Sequence, residues 1–349
     1  MIALIMAGGA GTRFWPLSTK ERPKQFLYIL GKRSMIQQTV DRILPLVDHK
    51  HIYVVTNKNQ VKLVKEHLPQ LPDENIIAEP VGRNTAPCIG LSAMLLQEKY
   101  SQDETMLVLP ADHYIGKQDE FIKAMRSASK FAKNHHILIT FGIKPTFPAT
   151  GYGYIESGLP LHSNEFPIFA VKRFKEKPDY KTASTFLAKG NFYWNSGMFM
   201  WRLDAIINAI KRLMPYLYSD LQKICRAWKN KDETQVRKIY EQLPKIPIDI
   251  GVMEKADNAA VVPLDIAWND IGSWQAIYDM MPKDENRNVL SGKVKTLEAQ
   301  SNYVYSSDAK KLIALIGVEG LVVVDTGEAL LICTKDHAQD VKKIAEGLI

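Results

Sequence analysis

The feature that most constrains this chain is an alternation within its first 143 residues. Short apolar runs ("MIALIMA", "HIYVVT", "NIIAEP", "TMLVLPAD", "ILITFGI") take turns with stretches whose apolar residues recur every three or four positions. In "SMIQQTVDRIL", Ile36, Val40, Ile43 and Leu44 fall on one helical face. Ser34 and Gln37 have capping-box spacing there, and Pro45 marks the end. Helices are also expected from Asn59 to Leu68, from after Pro87 to Tyr100, and over "EFIKAMRSASKFAK". This repetition predicts an α/β fold: a Rossmann-like, doubly wound, mostly parallel sheet with helices on both faces. Ligands of such sheets sit beyond the carboxyl ends of the strands. Attention therefore falls on the loop after "MIALIMA" and on Asp112, which follows "TMLVLP".

Between Phe147 and Asp265 the alternation becomes irregular. "GYGYIES", "FAVKRFKEKPD" and "FYWNSGMFMWR" have strand character, and Leu203 to Leu243 is mostly helical. The charged, turn-rich "PKDENRN" from Pro282 to Asn288 is the expected boundary between a domain 1–282 and a small domain 289–349. "SNYVYSS", "LIALIGV", "LVVVDT" and "ALLICT" then follow as short strands at near-regular spacing, closed by a helix over "HAQDVKKIAEGL". That is a small all-β module with a terminal helix.

The loop "GGAGTRFWPLSTKERPKQF" admits three readings. A Walker A loop needs Lys-Ser or Lys-Thr after its final glycine, and Gly11 is followed by Thr12-Arg13. A dinucleotide fingerprint needs a third glycine where Phe14 stands, and an acidic residue that is missing between Glu21 and Asp41. Pro16 also prevents the immediate helix on which both motifs depend. What remains is a loop whose backbone N–H groups wrap a nucleotide's phosphates, with Arg13 as a forked donor and Lys24 as a mobile point charge.

Charge does not choose a partner class. The net charge is +7, but Lys and Arg are spread without a basic block, so a pocket for a polyanionic small molecule explains the surplus as well as nucleic acid does. No run approaches the roughly 18 apolar residues of a membrane span. The apolar start lacks a basic leader, so no secretory signal is expected. Cys88, Cys225 and Cys333 are expected to be buried thiols in a reducing cytoplasm. The pairs His49/His51 and His135/His136 stand beside lysines, with no zinc spacing around them. Trp15, Trp194, Trp201, Trp268 and Trp274 are expected as core or pocket wall.

The string G-G-x-G-T-R-x-W-P-L-S followed by P-K-Q resembles the sugar nucleotidyltransferases, and more narrowly the mannose-1-phosphate guanylyltransferases. The resemblance continues through "EPVGRNTAP", "LPADH", "GYGYI", "FKEKPD", "WNSGMF", "DIGVMEKA" and "WNDIGSW", spanning most of residues 1–275 in the family's order. Phe14 stands where Leu is common, and Ile250 where many members carry Tyr. The resemblance implies transfer from GTP to mannose 1-phosphate, giving GDP-mannose and pyrophosphate. It assigns catalysis to Arg13, Lys24, Asp112 and Asp270, with the two aspartates holding Mg²⁺.

By the same resemblance the nucleotide is bound by Ala7, Gly8, Gly9, Gly11, Thr12, Arg13, Lys24, Arg83, Asn84 and Asp112. Gly153, Glu176, Lys177, Asn195 and Asp249 would bind the sugar phosphate. The β module would be a short left-handed β-helix used in homodimer contacts, and neither nucleic acid nor membrane is a partner. Longer relatives append a cupin-type isomerase domain, and none is expected here. Read from the residues alone, Asp112 could be a turn aspartate, Asp270 the N-cap of "IGSWQAIYDMM", and Asn84 the cap of the following helix. Two other functions stay open: a different nucleotide and sugar phosphate pair, or a non-catalytic regulatory homologue.

Overall fold

The computed structural model describes residues 1–9, 11–162 and 166–348, with the side chain of Leu348 excepted. Ala10 of the glycine loop lies outside the described residues. By its own contacts the chain forms two compact units. Unit 1 comprises Met1–Gly8, Gln37–Ala111 and Ile115–Trp268; unit 2 comprises Gly9–Ile36, Asp112–Tyr114 and Asn269–Ile349.

Unit 1 is built on one nine-stranded sheet. In chain order come β1 (Ile2–Met6), α1 (Met35–Ile43), β2 (Ile52–Asn57), α2 (Val61–His67), β3 (Ile76–Glu79), α3 (Thr85–Leu96), β4 (Thr105–Pro110), the two-residue β5 (Tyr114–Ile115), α4 (Gln118–Asn134) and β6 (Leu138–Ile143). They are followed by β7 (Tyr154–His162), β8 (Ile168–Lys175), α5 (Tyr180–Lys189), β9 (Phe192–Arg202), α6 (Leu203–Leu213), α7 (Pro215–Lys229), α8 (Glu233–Tyr240), β10 (Ala259–Leu264) and the two-residue β11 (Trp268–Asn269). The sheet order is β3-β2-β1-β4-β9-β6-β10-β8-β7. β1 pairs in parallel with both β2 and β4, while β8 and β9 run against the other strands. The mostly parallel sheet is thus present, and the irregular segment contributes the reversed strands that widen it.

Strands β1, β2, β4 and β6 are almost entirely buried, which is why they appear in sequence as continuous apolar runs. The core runs from Leu4, Val55 and Val108 through Phe199 and Trp201 to α3, α6 and α7. The chain leaves β1 toward β2 on one side and returns to β4 on the other, so the strand order reverses at β1/β4. Ligand crevices form at such a reversal. Gly9 onward follows β1, and Asp112–Tyr114 follow β4; both segments belong to unit 2.

Unit 2 also holds α9 (Trp274–Met280), β12 (Val289–Ser291), β13 (Lys293–Leu297), β14 (Tyr303–Ser306), β15 (Leu312–Ile316), β16 (Leu321–Asp325), β17 (Leu330–Thr334) and α10 (Val341–Leu348). β12, β14 and β16 stack in parallel, as do β13 and β15, so successive coils repeat a strand-corner-strand unit. An asparagine ladder pins the corner. Asn288 Oδ1 accepts from Asn302 N at 3.0 Å, and Asn302 Oδ1 accepts from Leu321 N at 2.8 Å. The expected β module is a parallel coil of this kind. Its terminal helix is shorter than the pattern suggests, because Lys335–His337 forms a separate 3₁₀ turn. The core of unit 2 joins Phe14, Leu27 and Met35 from the N-terminal segment to Trp274, Ile277, Tyr303, Val322 and Val341.

Candidate active site

Within unit 2 a cavity of about 430 Å³ gathers residues from four separated stretches. Gly11, Thr12, Arg13 and Lys24 come from the glycine loop and its continuation, and Asp112 and His113 from the turn after β4. Asp270, Ile271 and Gly272 come from the segment before α9, and Lys342 and Glu346 from α10. Its volume lies in the ordinary range for a small-ligand site.

The loop closes on Lys24. Gly11 has φ +65°, and a Cβ there would lie 2.4 Å from Lys24 N and 2.8 Å from Lys24 Cβ. Glycine is therefore required twice, by conformation and by space. Gln25 Nε2 donates to Gly9 O at 3.2 Å, tying the two ends of the loop together. The Trp15–Pro16 peptide is cis, and Thr12–Phe14 forms a 3₁₀ turn. Phe14 is fully buried, edge-on to Trp274 at 5.1 Å between ring centres.

Lys24 is 6% exposed, and its ammonium donates to Asp270 O at 2.6 Å and pairs with Asp112 Oδ2 at 2.9 Å. Burial alone would raise the pKa of Asp112; Lys24 chiefly, with His113, outweighs it and holds the carboxyl below its usual value. Arg13 is exposed on the wall and makes no hydrogen bond or ion pair among the described residues.

Asp270 does not cap α9. Ser273 does, its Oγ accepting from Ala276 N at 3.3 Å. The chain between them is strained: buried Ile271 has φ +45°, an uncommon conformation for a β-branched residue. A Cβ on Gly272 would approach Asp270 Oδ2 to 3.1 Å, so the carboxylate lies against a residue with no side chain.

The donor set suits Mg²⁺. Asp112 and Asp270 line one cavity, and a lysine ammonium already lies between a carboxylate oxygen of one and the carbonyl of the other. No group of three or more His, Cys, Asp or Glu able to hold a metal occurs among the described residues. Magnesium commonly uses one or two carboxylates and takes its other ligands from water and phosphate.

The five residues expected at the sugar come together in unit 1. Asn195 Nδ2 donates to Asp249 Oδ1 at 2.8 Å, and Asn195 N donates to Gly153 O at 2.8 Å. A Cβ at Gly153 would meet Glu176 Oε2 at 2.7 Å, and Lys177 pairs with Glu176. Burial, then the neighbouring Glu176, pushes Asp249 up to about 6. Two carboxylates, an amide and an ammonium around a glycine-cleared space can bind vicinal hydroxyls beside a phosphate.

The remaining residues expected at the nucleotide, Ala7, Gly8, Arg83 and Asn84, belong to unit 1. Ala7 N donates to Val55 O at 2.8 Å, and Gly8 faces Glu79. Asn84 Oδ1 accepts from Thr85 N at 2.8 Å, and α3 begins at Thr85, so Asn84 is that helix's N-cap. Pro87 is accommodated in the first turn, where its missing N–H would have no partner. Arg83 Nε donates to Tyr240 O at 3.3 Å. Sequence reasoning passed over Glu79, which is 5% exposed, bonded to the Tyr240 hydroxyl and pushed by burial up to about 7. Its position at the end of an apolar strand was the available signal. His113, Lys342 and Glu346 were also passed over, and nothing local in the sequence marks the last two. Of the cysteines, Cys88 and Cys225 are buried as expected, whereas Cys333 is partly exposed.

A doubly wound sheet, a glycine loop that closes on a buried lysine, and two aspartates at one cavity define a nucleotidyltransferase-type protein. The nucleotidyl transferase family model matches residues 2–287, and the MannoseP isomerase/GMP-like beta-helix domain matches residues 292–348. The chain is 43% identical to a mannose-1-phosphate guanylyltransferase of Klebsiella pneumoniae, over 100% of this chain and 74% of that protein. It is 41% identical to the xanthan biosynthesis protein XanB of Xanthomonas campestris pv. campestris, over 99% of this chain and 72% of the other. A crystal structure from Thermus thermophilus, described as a mannose-1-phosphate geranyltransferase, superposes with a TM-score of 0.87. It is 32% identical, covering 99% of this chain and 98% of its own. The chain belongs to the mannose-1-phosphate guanylyltransferase family.

Proposed function

We propose that this protein transfers guanylyl from GTP to mannose 1-phosphate, releasing pyrophosphate and forming GDP-mannose. The observation that carries this reading is the unit 2 cavity, where Arg13, Lys24, Asp112 and Asp270 converge from three stretches of chain. Their joint presence favours an enzyme over a non-catalytic homologue. The likeness of the whole of this chain to named guanylyltransferases, 74% of whose length it covers, supports the choice of substrates.

A phosphate oxygen of mannose 1-phosphate attacks the α-phosphorus in line. The bond from that phosphorus to the bridging oxygen breaks, and pyrophosphate leaves with the electron pair. Positioning and charge neutralisation accomplish most of such a transfer. Lys24, fixed by Asp112 and the Asp270 carbonyl, presents a buried cation that needs no reorganisation. Arg13 grips non-bridging oxygens with two donors. Asp112 and Asp270 would hold Mg²⁺, which when bound supplies further neutralisation of phosphate charge. In unit 1, Asp249, Asn195 and Glu176 would accept from and donate to sugar hydroxyls, and Lys177 would face the sugar phosphate. We take residues 1–282 as the catalytic domain and 289–349 as a β-helix domain that mediates homodimer contacts, in a cytoplasmic enzyme. No helix among the described residues is long and apolar enough to cross a membrane.

Pyrophosphate release, measured for each of the four nucleoside triphosphates with a set of sugar 1-phosphates, tests the assignment. GTP with mannose 1-phosphate should be fastest. Faster turnover of another pair would overturn the substrate assignment, and no release from any pair would overturn the enzymatic one.

A further inference from the structure

Helix α10 lies far along the chain from the glycine loop and the two aspartates, yet it reaches the cavity. Val341 and Ala345 are 3% and 0% exposed and face the core of unit 2, packing α10 against the Thr12–Phe14 turn. One position further along, Lys342 and Glu346 are neighbours at i and i+4 and line the cavity beside Arg13. Lys342 Nζ lies 3.4 Å from Glu346 Oε1, with side chains 48% and 56% exposed. Elsewhere on a surface such a pair would be of little consequence. Here it stands at the rim of a cavity whose buried cation is already engaged by two aspartates.

The charges lining the cavity balance without a ligand. Arg13, Lys24 and Lys342 are matched by Asp112, Asp270 and Glu346. A triphosphate entering this cavity needs more positive charge than the preorganised Lys24, which keeps its Asp112 partner, can supply alone. Lys24 is buried and tied; Arg13 and Lys342 are exposed, and Lys342 has a weak, solvent-screened partner to give up. We propose that Lys342 is a polyphosphate-binding residue of this site, engaging the pyrophosphate portion of the nucleotide, and that Glu346 is its resting partner, displaced when phosphate arrives. The proposal rests on the guanylyltransferase reading and makes the terminal helix part of the nucleotide site. A lysine is adequate here, because a departing group needs a mobile point charge more than a rigid fork.

The test uses the full chain with Lys342→Gln, Lys342→Arg and Glu346→Gln. Inorganic pyrophosphate binding is measured by calorimetry in magnesium-containing buffer, beside KM for each substrate and the melting temperature. Losing one charged hydrogen-bonding partner should weaken pyrophosphate binding of Lys342→Gln by about tenfold or more. KM for the nucleotide should rise, while KM for the sugar phosphate and the melting temperature stay as in the wild type. Lys342→Arg should restore most of the binding, and Glu346→Gln should bind pyrophosphate more tightly than wild type. The proposal fails if the wild type does not bind pyrophosphate, or if Lys342→Gln binds it within twofold of wild type. It fails equally if Glu346→Gln weakens binding as Lys342→Gln does, since the pair would then be mere packing. Binding needs no turnover: an inactive wild type would overturn the functional reading, and an active wild type with unchanged Lys342→Gln binding would overturn this inference alone.

Discussion

Glu79 shows how one buried side chain sets a measurable pH dependence. Its carboxyl is pushed by burial from 4.5 to about 7, against the opposing hydrogen bond from Tyr240. A carboxyl whose folded pKa is raised favours the folded state while protonated. That contribution is whole below about pH 4.5 and is lost as pH rises through 7. Glu79→Gln keeps an acceptor for Tyr240 and removes the charge. It should be more stable than wild type at pH 8, by on the order of 2–3 kcal/mol, with the gap closing toward pH 4. Chemical denaturation at several pH values measures this, and a gap independent of pH would refute it. Arg13 and Lys24 stand out in the sequence by residue type beside a glycine loop, whereas Asp112 and Asp270 are picked out as metal ligands by the family resemblance; the four line one cavity. For Asp270 the cap reading falls, because Ser273 caps α9. Lys342 and Glu346 were illegible: on an amphipathic terminal helix they look like any solvated pair, and no local pattern joins residue 342 to residue 13.

At the scale of elements, periodicity located the strands of the sheet because both faces are covered and the runs are continuously apolar. It placed helix ends less well. Pro87 looked like the residue a helix would follow, yet α3 begins at Thr85 because Asn84 supplies the cap. The β module that follows the turn-rich Pro282–Asn288 segment has too few strands for a robust core of its own. Its strands share a core with the N-terminal segment, where Phe14 and Trp274 pack with Tyr303, Val322 and Val341. A fragment ending near Pro282 should therefore lose the backing of the Thr12–Phe14 turn, and with it both activity and a cooperative melting transition in this part of the chain. A fragment that melts cooperatively and turns over like the full chain would contradict that expectation.

Among the described residues two constellations stand out, one in each unit: cations and carboxylates at the cavity in unit 2, and Glu176, Asn195 and Asp249 around Gly153 in unit 1. The central claim is that the unit 2 cavity is where the triphosphate reacts, with Asp112 and Asp270 holding Mg²⁺ there. The most direct test is the rate of GDP-mannose formation by Asp112→Asn and Asp270→Asn across a magnesium titration, with melting temperature recorded alongside. An amide is nearly isosteric but supplies no charge. Each variant should lose about 10²-fold or more in turnover, a loss typical of removing one preorganised electrostatic group. What activity remains should need more magnesium, and Asp112→Asn should melt below wild type, since it leaves the buried Lys24 ammonium without its carboxylate partner. Wild-type turnover at wild-type magnesium in either folded variant would contradict the account.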